Sequence, residues 1–433
     1  MLIQVSVENF LSFKNKTVFP MLSSADKNLS ETHTINFNKK AYGKVSALYG
    51  ANASGKSNFI KAITFIKHFL INSNNMLERT QIQITPFKFD LASYNKPSSF
   101  EIAFVKDRIK YEYGFTCDKE KVHEEFLNYY PNGRVAMLFK RRNVDEYEFG
   151  NLDGHSNNIL KMIKSTNTAN KLFLATAAIV GNIEPFKQAF NFLHGDIVMP
   201  LNSLLMAPQF TDDALDRMGR DGTIESYKEF ALRFIKDGDF NIENFERKIV
   251  PIEKGSAKHH QMISAMKQSG IPDHILNNSS LHQIQEIETR TFHNINGELK
   301  PLFIHEESEG TQTIYSFAPL LYDVLKNGKI LFVDEIEKGL HPMLVEYIVK
   351  TFTNKELNKN NAQIVFSTHS TNFLDLDLLR RDQIWFFEKS NKDGATNLYS
   401  LTDFSPRNNE NIQKGYLIGR YGAVPFISNK LKL

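Results

Sequence analysis

The strongest constraint on this chain is a pair of motifs that belong to one kind of site yet stand far apart in sequence. Gly50-Ala51-Asn52-Ala53-Ser54-Gly55-Lys56-Ser57 fits the pattern GxxxxGK[ST]. In such a loop the backbone N–H groups point inward around phosphates, and the helix that follows presents its positive end to them. Gly50, Asn52, Ala53, Ser54 and Gly55 are therefore candidate phosphate cradle residues, Lys56 a ligand of the β/γ-phosphates, and Ser57 a ligand of Mg2+. The flanks suit the motif: Val45–Tyr49 reads as a short buried strand, and Asn58–Ile66 carries apolar residues at helical spacing. Far downstream, Ile330-Leu331-Phe332-Val333 is an apolar strand ending in Asp334 and Glu335, and Ile364-Val365-Phe366-Ser367-Thr368 is another ending in His369. A fold that brings these three strand ends to one sheet edge would place metal, water and phosphate ligands together. Asp334 would hold Mg2+, Glu335 would orient the attacking water, and His369 would donate to a γ-phosphate.

Composition narrows the class. At 433 residues the chain has room for about two to three domains, and 41% hydrophobic with 23% charged residues suits a globular protein with a large core. The 35 phenylalanines are scattered, which favours core packing over a nucleic-acid stacking platform. A net charge of +3 gives no global basic field. Lys140-Arg141-Arg142 and Arg380-Arg381 are the most compact basic clusters, and both read as solvated surface. The single cysteine, Cys117, excludes an intramolecular disulfide and a cysteine-based zinc cluster, so a reducing cytoplasm is expected. No apolar run approaches the roughly 20 residues that span a bilayer, and no membrane association is expected.

Along the chain, residues 1–150 read as the first part of an α/β head. They hold two strands around Asn9–Lys14, the loop, and an antiparallel layer opened by the hairpin Phe100–Val105 and Ile109–Phe115. Residues 151–290 read as a mainly α-helical insertion, with Lys171–Ile179 and Ser226–Ile235 as its clearest helices and Lys254–His260 as an exposed loop. Residues 291–433 return to alternating strand and helix and complete the core sheet.

The order of these motifs resembles ABC-type ATPases of the SMC/RecF/OLD branch. In that comparison Ser308-Glu309-Gly310 looks like a degenerate form of the signature motif LSGGQ, and Gly339-Leu340-His341-Pro342 resembles the D-loop region. The resemblance implies an ATP- and Mg2+-dependent hydrolase with a mixed core sheet. It also implies that Ser308 and Gly310 reach the γ-phosphate of ATP on a second copy, so that the protein is at least a homodimer. Two departures stand out: Glu309 replaces a usual glycine, and the Q-loop glutamine has only Gln81 and Gln83 as candidates. A narrower resemblance rests on Glu307–Thr311, Arg380–Phe386 and Gly419–Pro425, and is to the RloA/AbiL type of prokaryotic ATPase, itself similar to the ATPase component of the PARIS anti-phage system. It implies a sensor and scaffold that controls a separately encoded nuclease of TOPRIM type, released by a phage-derived trigger. The competing expectation is a DNA-maintenance ATPase of RecF/SMC type, for which DNA would be the partner.

Overall fold

The computed structural model describes residues 1–199, 224–238, 241–268, 285–407 and 409–425. They fall into two compact units, Met1–Asn202 with Asp323–Leu433, and Ser203–Tyr322.

In chain order the strands up to the first unit's helical stretch are β1 (Leu2–Glu8), β2 (Thr17–Pro20), β3 (Thr34–Phe37), β4 (Lys40–Gly43) and β5 (Val45–Tyr49). There follow β6 (Ser98–Lys106), β7 (Ile109–Cys117), β8 (Val122–Tyr130), β9 (Ala136–Arg142), β10 (Glu146–Phe149) and β11 (Ile197–Val198). The second unit contributes β12 (Asn244–Pro251), β13 (Gln285–Ile295) and β14 (Glu298–Phe303). The chain then returns with β15 (Ile330–Val333), β16 (Gln363–Ser367), β17 (Ile384–Lys389) and β18 (Thr396–Ser400). The longer helices are α1 (Lys56–Asn72), α2 (Gly154–Thr166), α3 (Phe173–Ile179), α4 (Glu184–Asn191), α5 (Ile224–Asp237) and α6 (Ala257–Gln268). After these come α7 (Glu309–Asn327), α8 (Pro342–Thr353) and the short α9 (Ile412–Leu417).

The first unit is built on two sheets. A core sheet runs β11-β15-β16-β5-β17-β18, parallel from β11 to β17 and closed by the antiparallel β18. Its central strands β15, β16 and β5 are buried at every position, as expected of apolar runs covered on both faces. An antiparallel sheet runs β10-β9-β8-β7-β6-β1-β2, and its β6–β7 pair, from Ser98↔Cys117 to Lys106↔Ile109, contains the predicted hairpin. Helix α1 bridges the two sheets. Phe59 packs on Phe19 of β2 and on Phe387 of β17, while Phe65 packs on Phe100 and Phe115. Each fully buried aromatic of this kind contributes about 1.5–3 kcal/mol of burial. The aromatic residues are thus mostly core, as their scatter implied.

Helices α2 to α4 pack in the same unit, with Phe173 and Phe186 of α3 and α4 against Phe139. A buried polar network holds them there. Glu125 accepts from the N–H groups of Phe173 and Leu174 (2.6 and 2.9 Å) and from the Tyr113 hydroxyl (3.0 Å). Arg141, fully buried, donates to the carbonyls of Asn143, Lys171 and Ala169 and lies 3.9 Å from Glu125. Burial pushes the Glu125 carboxyl up, while Arg141 and the N–H donors hold it down. Arg380 is equally buried, at 1% exposure: it donates to both oxygens of Asp382 (3.0 and 2.7 Å) and reaches the carbonyls of Asn28 and Ser24. Arg381 pairs with Asp26. The solvated reading of the two basic clusters is therefore corrected at Arg141 and Arg380. Both are interior cations that tie distant segments together.

In the second unit, Tyr227, Ala231, Phe234 and Ile235 of α5 are buried, the helical spacing read within Ser226–Ile235. Beside its helices this unit holds a three-stranded antiparallel sheet, β12-β13-β14, which a helical reading of the region does not include. The alternation was present in sequence. Thr289 and Thr291 of β13 are buried while Glu288 and Arg290 are more open and pair with each other at 2.9 Å. Lys254–His260 is a loop only to Ser256, whose hydroxyl accepts from His259 N–H and starts α6. Among the described residues no three or more His, Cys, Asp or Glu side chains gather as metal ligands, and no helix is long and apolar enough to cross a membrane.

Candidate nucleotide site

The parallel register of the core sheet brings the key strand ends to one edge. Val333 lies opposite Phe366 and Ser367 opposite Leu48, so Asp334, His369 and Gly50 all follow strands that end at the same level. Open α/β sheets bind ligands at this carboxyl edge.

The loop itself is closely determined. Gly50 has φ +153° and a Cβ there would stand 2.3 Å from Phe387 O; Gly55 has φ +117° and a Cβ would stand 2.3 Å from Thr396 Oγ1. Only glycine fits either place. Thr396 Oγ1 lies 2.8 Å from both Ser54 O and Ser12 Oγ, and Ser12 Oγ accepts from Asn58 Nδ2 at 2.8 Å. Ser12, Asn58 and Thr396 thus brace the loop from outside, a role no local motif in the sequence announces. Gly55 caps α1 without a side-chain bond, and no acidic residue occupies the first turn. The positive end of the helix is therefore left for an external anion. Ser57 is half-buried in that first turn, while Asn52 and Ala53 stand exposed at the loop's tip.

Lys56 Nζ donates to Gly50 O (2.7 Å) and Ala51 O (3.3 Å), folding back over the loop. Burial lowers its pKa, and Asp334, Glu335 and Glu337 act in the opposite direction. The strand register places these carboxylates at the same sheet edge as the loop. Ser367 fixes them: its hydroxyl bonds Asp334 Oδ1 and accepts from Glu335 N–H at 2.8 Å, and its carbonyl accepts from Ile336 N–H at 3.1 Å. Glu335 sits at φ +52°, a left-handed backbone that a glutamate adopts at a cost of about 1–3 kcal/mol. Both Asp334 and Glu335 are exposed. Glu337 belongs to the site as well, although sequence reasoning passed over it. Its Oε1 accepts from His369 N–H at 2.5 Å and its Oε2 is buried without a partner. The signal was the third carboxylate in Asp334-Glu335-Ile336-Glu337. His369 itself is exposed beyond β16.

The donor set fits a nucleotide with a hard divalent cation. The glycine cradle, the buried and unpartnered Ser54 Oγ, and the oxygens of Ser57 and Asp334 are the groups such a ligand needs. Ser57 and Asp334 could hold Mg2+, which when bound would neutralise phosphate charge.

Ser308 and Gly310 lie in the second unit. Ser308 Oγ accepts from Thr311 N–H at 3.1 Å and caps the 19-residue α7, with Gly310 in its first turn. Behind the cap, Glu307 accepts from His293 Nε2 at 2.7 Å and from Thr291. Gln81 and Gln83 are exposed, and Gln83 only reaches back to Gln81 O at 3.4 Å. His341 caps α8 through Met343 N–H, with Gly339 at φ +73° before it.

Residues 45–149 and 207–375, more than half of the chain, match the family described as "AAA domain, putative AbiEii toxin, Type IV TA system". The chain belongs to that family. The AAA domain in that description agrees with the nucleotide-binding loop anticipated from its motifs. Among solved structures it is similar to an SMC head bound to the C-terminal winged-helix domain of ScpA (15% identity, 92% of this chain and 97% of that one, TM-score 0.43). It is also similar to the SMC head domain of Thermotoga maritima (14%, 92% and 98%, TM-score 0.38) and to RecF, a recombination mediator protein (15%, 92% and 98%, TM-score 0.35). No curated protein matches it significantly.

Proposed function

We propose that this chain is a Mg2+-dependent ATP hydrolase that serves as the nucleotide-gated sensor and scaffold of a prokaryotic anti-phage defence system. In this reading it restrains a separately encoded nuclease of TOPRIM type until a phage-derived trigger arrives, and it works in the cytoplasm. The observation that carries the hydrolase reading is the parallel register that brings the Gly50–Ser57 loop and the Asp334-Glu335 pair to one sheet edge. Lys56 holds phosphate, Ser57 and Asp334 the metal, Glu335 polarises water, and His369 donates to the γ-phosphate. The family's description as a type IV toxin–antitoxin component supports the defence reading. Ser308 and Gly310, at the exposed start of α7, are assigned to a composite site on a second copy. Light scattering with ATP checks this: a strict monomer with full ATPase activity contradicts it.

The competing reading, DNA maintenance, would draw on the basic clusters Lys140–Arg142 and Arg380–Arg381, and four of these five cations are buried or paired. Arg141 and Arg380 are buried, Arg142 is paired with Glu148 at 3.1 Å, and Arg381 with Asp26. Duplex binding would weaken steeply with salt.

Two outcomes test the proposal. Co-expressed with the neighbouring effector and challenged with phage, Lys56→Ala should lose protection; protection unchanged from wild type contradicts an ATP-gated restraint. Ser367→Ala should lower kcat about tenfold with little change in KM, because Asp334 and Glu335 lose the hydroxyl that orients them. An unaltered kcat would show that these carboxylates hold their places without it.

A further inference from the structure

Phe89 is 72% exposed in a chain whose other large aromatics are mostly buried. It is not a loose side chain. Its ring packs edge-on against buried Phe87 at 5.7 Å between centroids. The segment beneath is pinned to the β1–β2 turn: Leu11 N–H donates to Thr85 O (2.9 Å) and Phe87 N–H to Asn9 Oδ1 (3.2 Å). Asn9 Nδ2 in turn donates to Ser93 O and Lys96 O, both at 2.7 Å. An exposed aromatic on a rigid footing is suited to stacking on something planar.

Its place in the fold says what. Strand β17 runs parallel to β5 with Phe386 opposite Tyr49, so Phe387, Glu388 and Lys389 continue beside the start of the phosphate loop. The turn Ser390–Ala395 that follows stands on the phosphate-binding edge. Gly394 in that turn (φ +73°) leaves room for the Phe89 ring; a Cβ there would lie 2.8 Å from Phe89 Cδ2. Two residues later Thr396 Oγ1 touches Ser54 O. At most about 7 Å of chain therefore separates Gly394 from the threonine that braces the loop. Lys14 lies 3.6 Å from Asp90 and 3.9 Å from Asp393, joining the Phe89 segment to the same turn. The exposed Lys389 ammonium stands 5.3 Å from the Phe89 centroid, a mobile side chain that a base could displace or share.

We infer that Phe89 is the platform on which the base of the bound nucleotide stacks, anchored beside the phosphate loop by the Ser390–Ala395 turn. This rests on the nucleotide reading of Gly50–Ser57 and assigns a recognition residue to that site.

The test compares binding of ATP and of inorganic tripolyphosphate, by calorimetry, to the full-length protein and its variants. Phe89→Ala should weaken ATP about tenfold and leave tripolyphosphate unchanged, and Phe89→Tyr should restore ATP binding. Because Phe89 is exposed, its removal leaves the fold intact; a matching urea midpoint confirms that. Equal losses for ATP and tripolyphosphate, or no loss for ATP, overturn the stacking role. Lys56→Ala separates the two claims. If wild-type protein binds ATP in a Lys56-dependent way while Phe89→Ala changes nothing, only the platform fails. If wild type binds no ATP, the nucleotide reading falls and the platform with it.

Discussion

Glu335→Gln should slow ATP turnover by about a hundredfold to ten-thousandfold while leaving ATP binding nearly unchanged. The amide keeps the size and most hydrogen bonds of the carboxylate but cannot draw a proton from water. Glu335 is suited to the role because its backbone is held in the left-handed region by Ser367, leaving the side chain exposed at the sheet edge beside Asp334. Backbone strain of this kind clusters at functional sites. Steady-state phosphate release, with ATP binding measured in parallel, reports both quantities. Wild-type turnover in Glu335→Gln would remove Glu335 from the chemistry and direct attention to Glu337, whose Oε2 is buried without a partner.

The second large effect concerns stability. Arg141→Met should destabilise the first unit by about 3–5 kcal/mol, because it strands the buried Glu125 carboxylate and three backbone carbonyls. Arg142→Met, one residue on, removes an exposed pair with Glu148 and should change stability by less than about 1 kcal/mol. Urea unfolding followed by far-UV circular dichroism distinguishes them. Equal midpoints for the two variants would show that the Glu125–Arg141 network does not hold α3 to the antiparallel sheet.

These two arginines also show where sequence reading stops. In Lys140-Arg141-Arg142 nothing local separates the interior cation from its solvated neighbour; the difference lies in Glu125 and in carbonyls near Lys171, which only the tertiary fold brings up. The same holds for Arg380, whose backbone partners sit at Ser24 and Asn28. By contrast, Val45–Tyr49, Gly50–Gly55 and the helix from Lys56 were legible because each rests on local causes: an apolar run, glycines at positive φ and helical spacing. Asp334 was legible as the polar end of a buried strand. Ser367, Thr396 and Ser12 were not, since a brace is defined by what it touches across the sheet. The β12–β14 sheet was legible in principle through the alternation in β13, but lies among helical segments whose pattern is stronger.

The most direct test of a single site built from both ends of the chain is ATP affinity with and without Mg2+ in wild type, Lys56→Ala and Asp334→Asn. Wild type should bind ATP more tightly with Mg2+, and Lys56→Ala should bind weakly in either condition. Asp334→Asn should keep its metal-free affinity while losing most of the enhancement by Mg2+. An enhancement in Asp334→Asn equal to that of wild type would mean that the metal on the loop's nucleotide is not held by the downstream strand, and the two ends would not form one site.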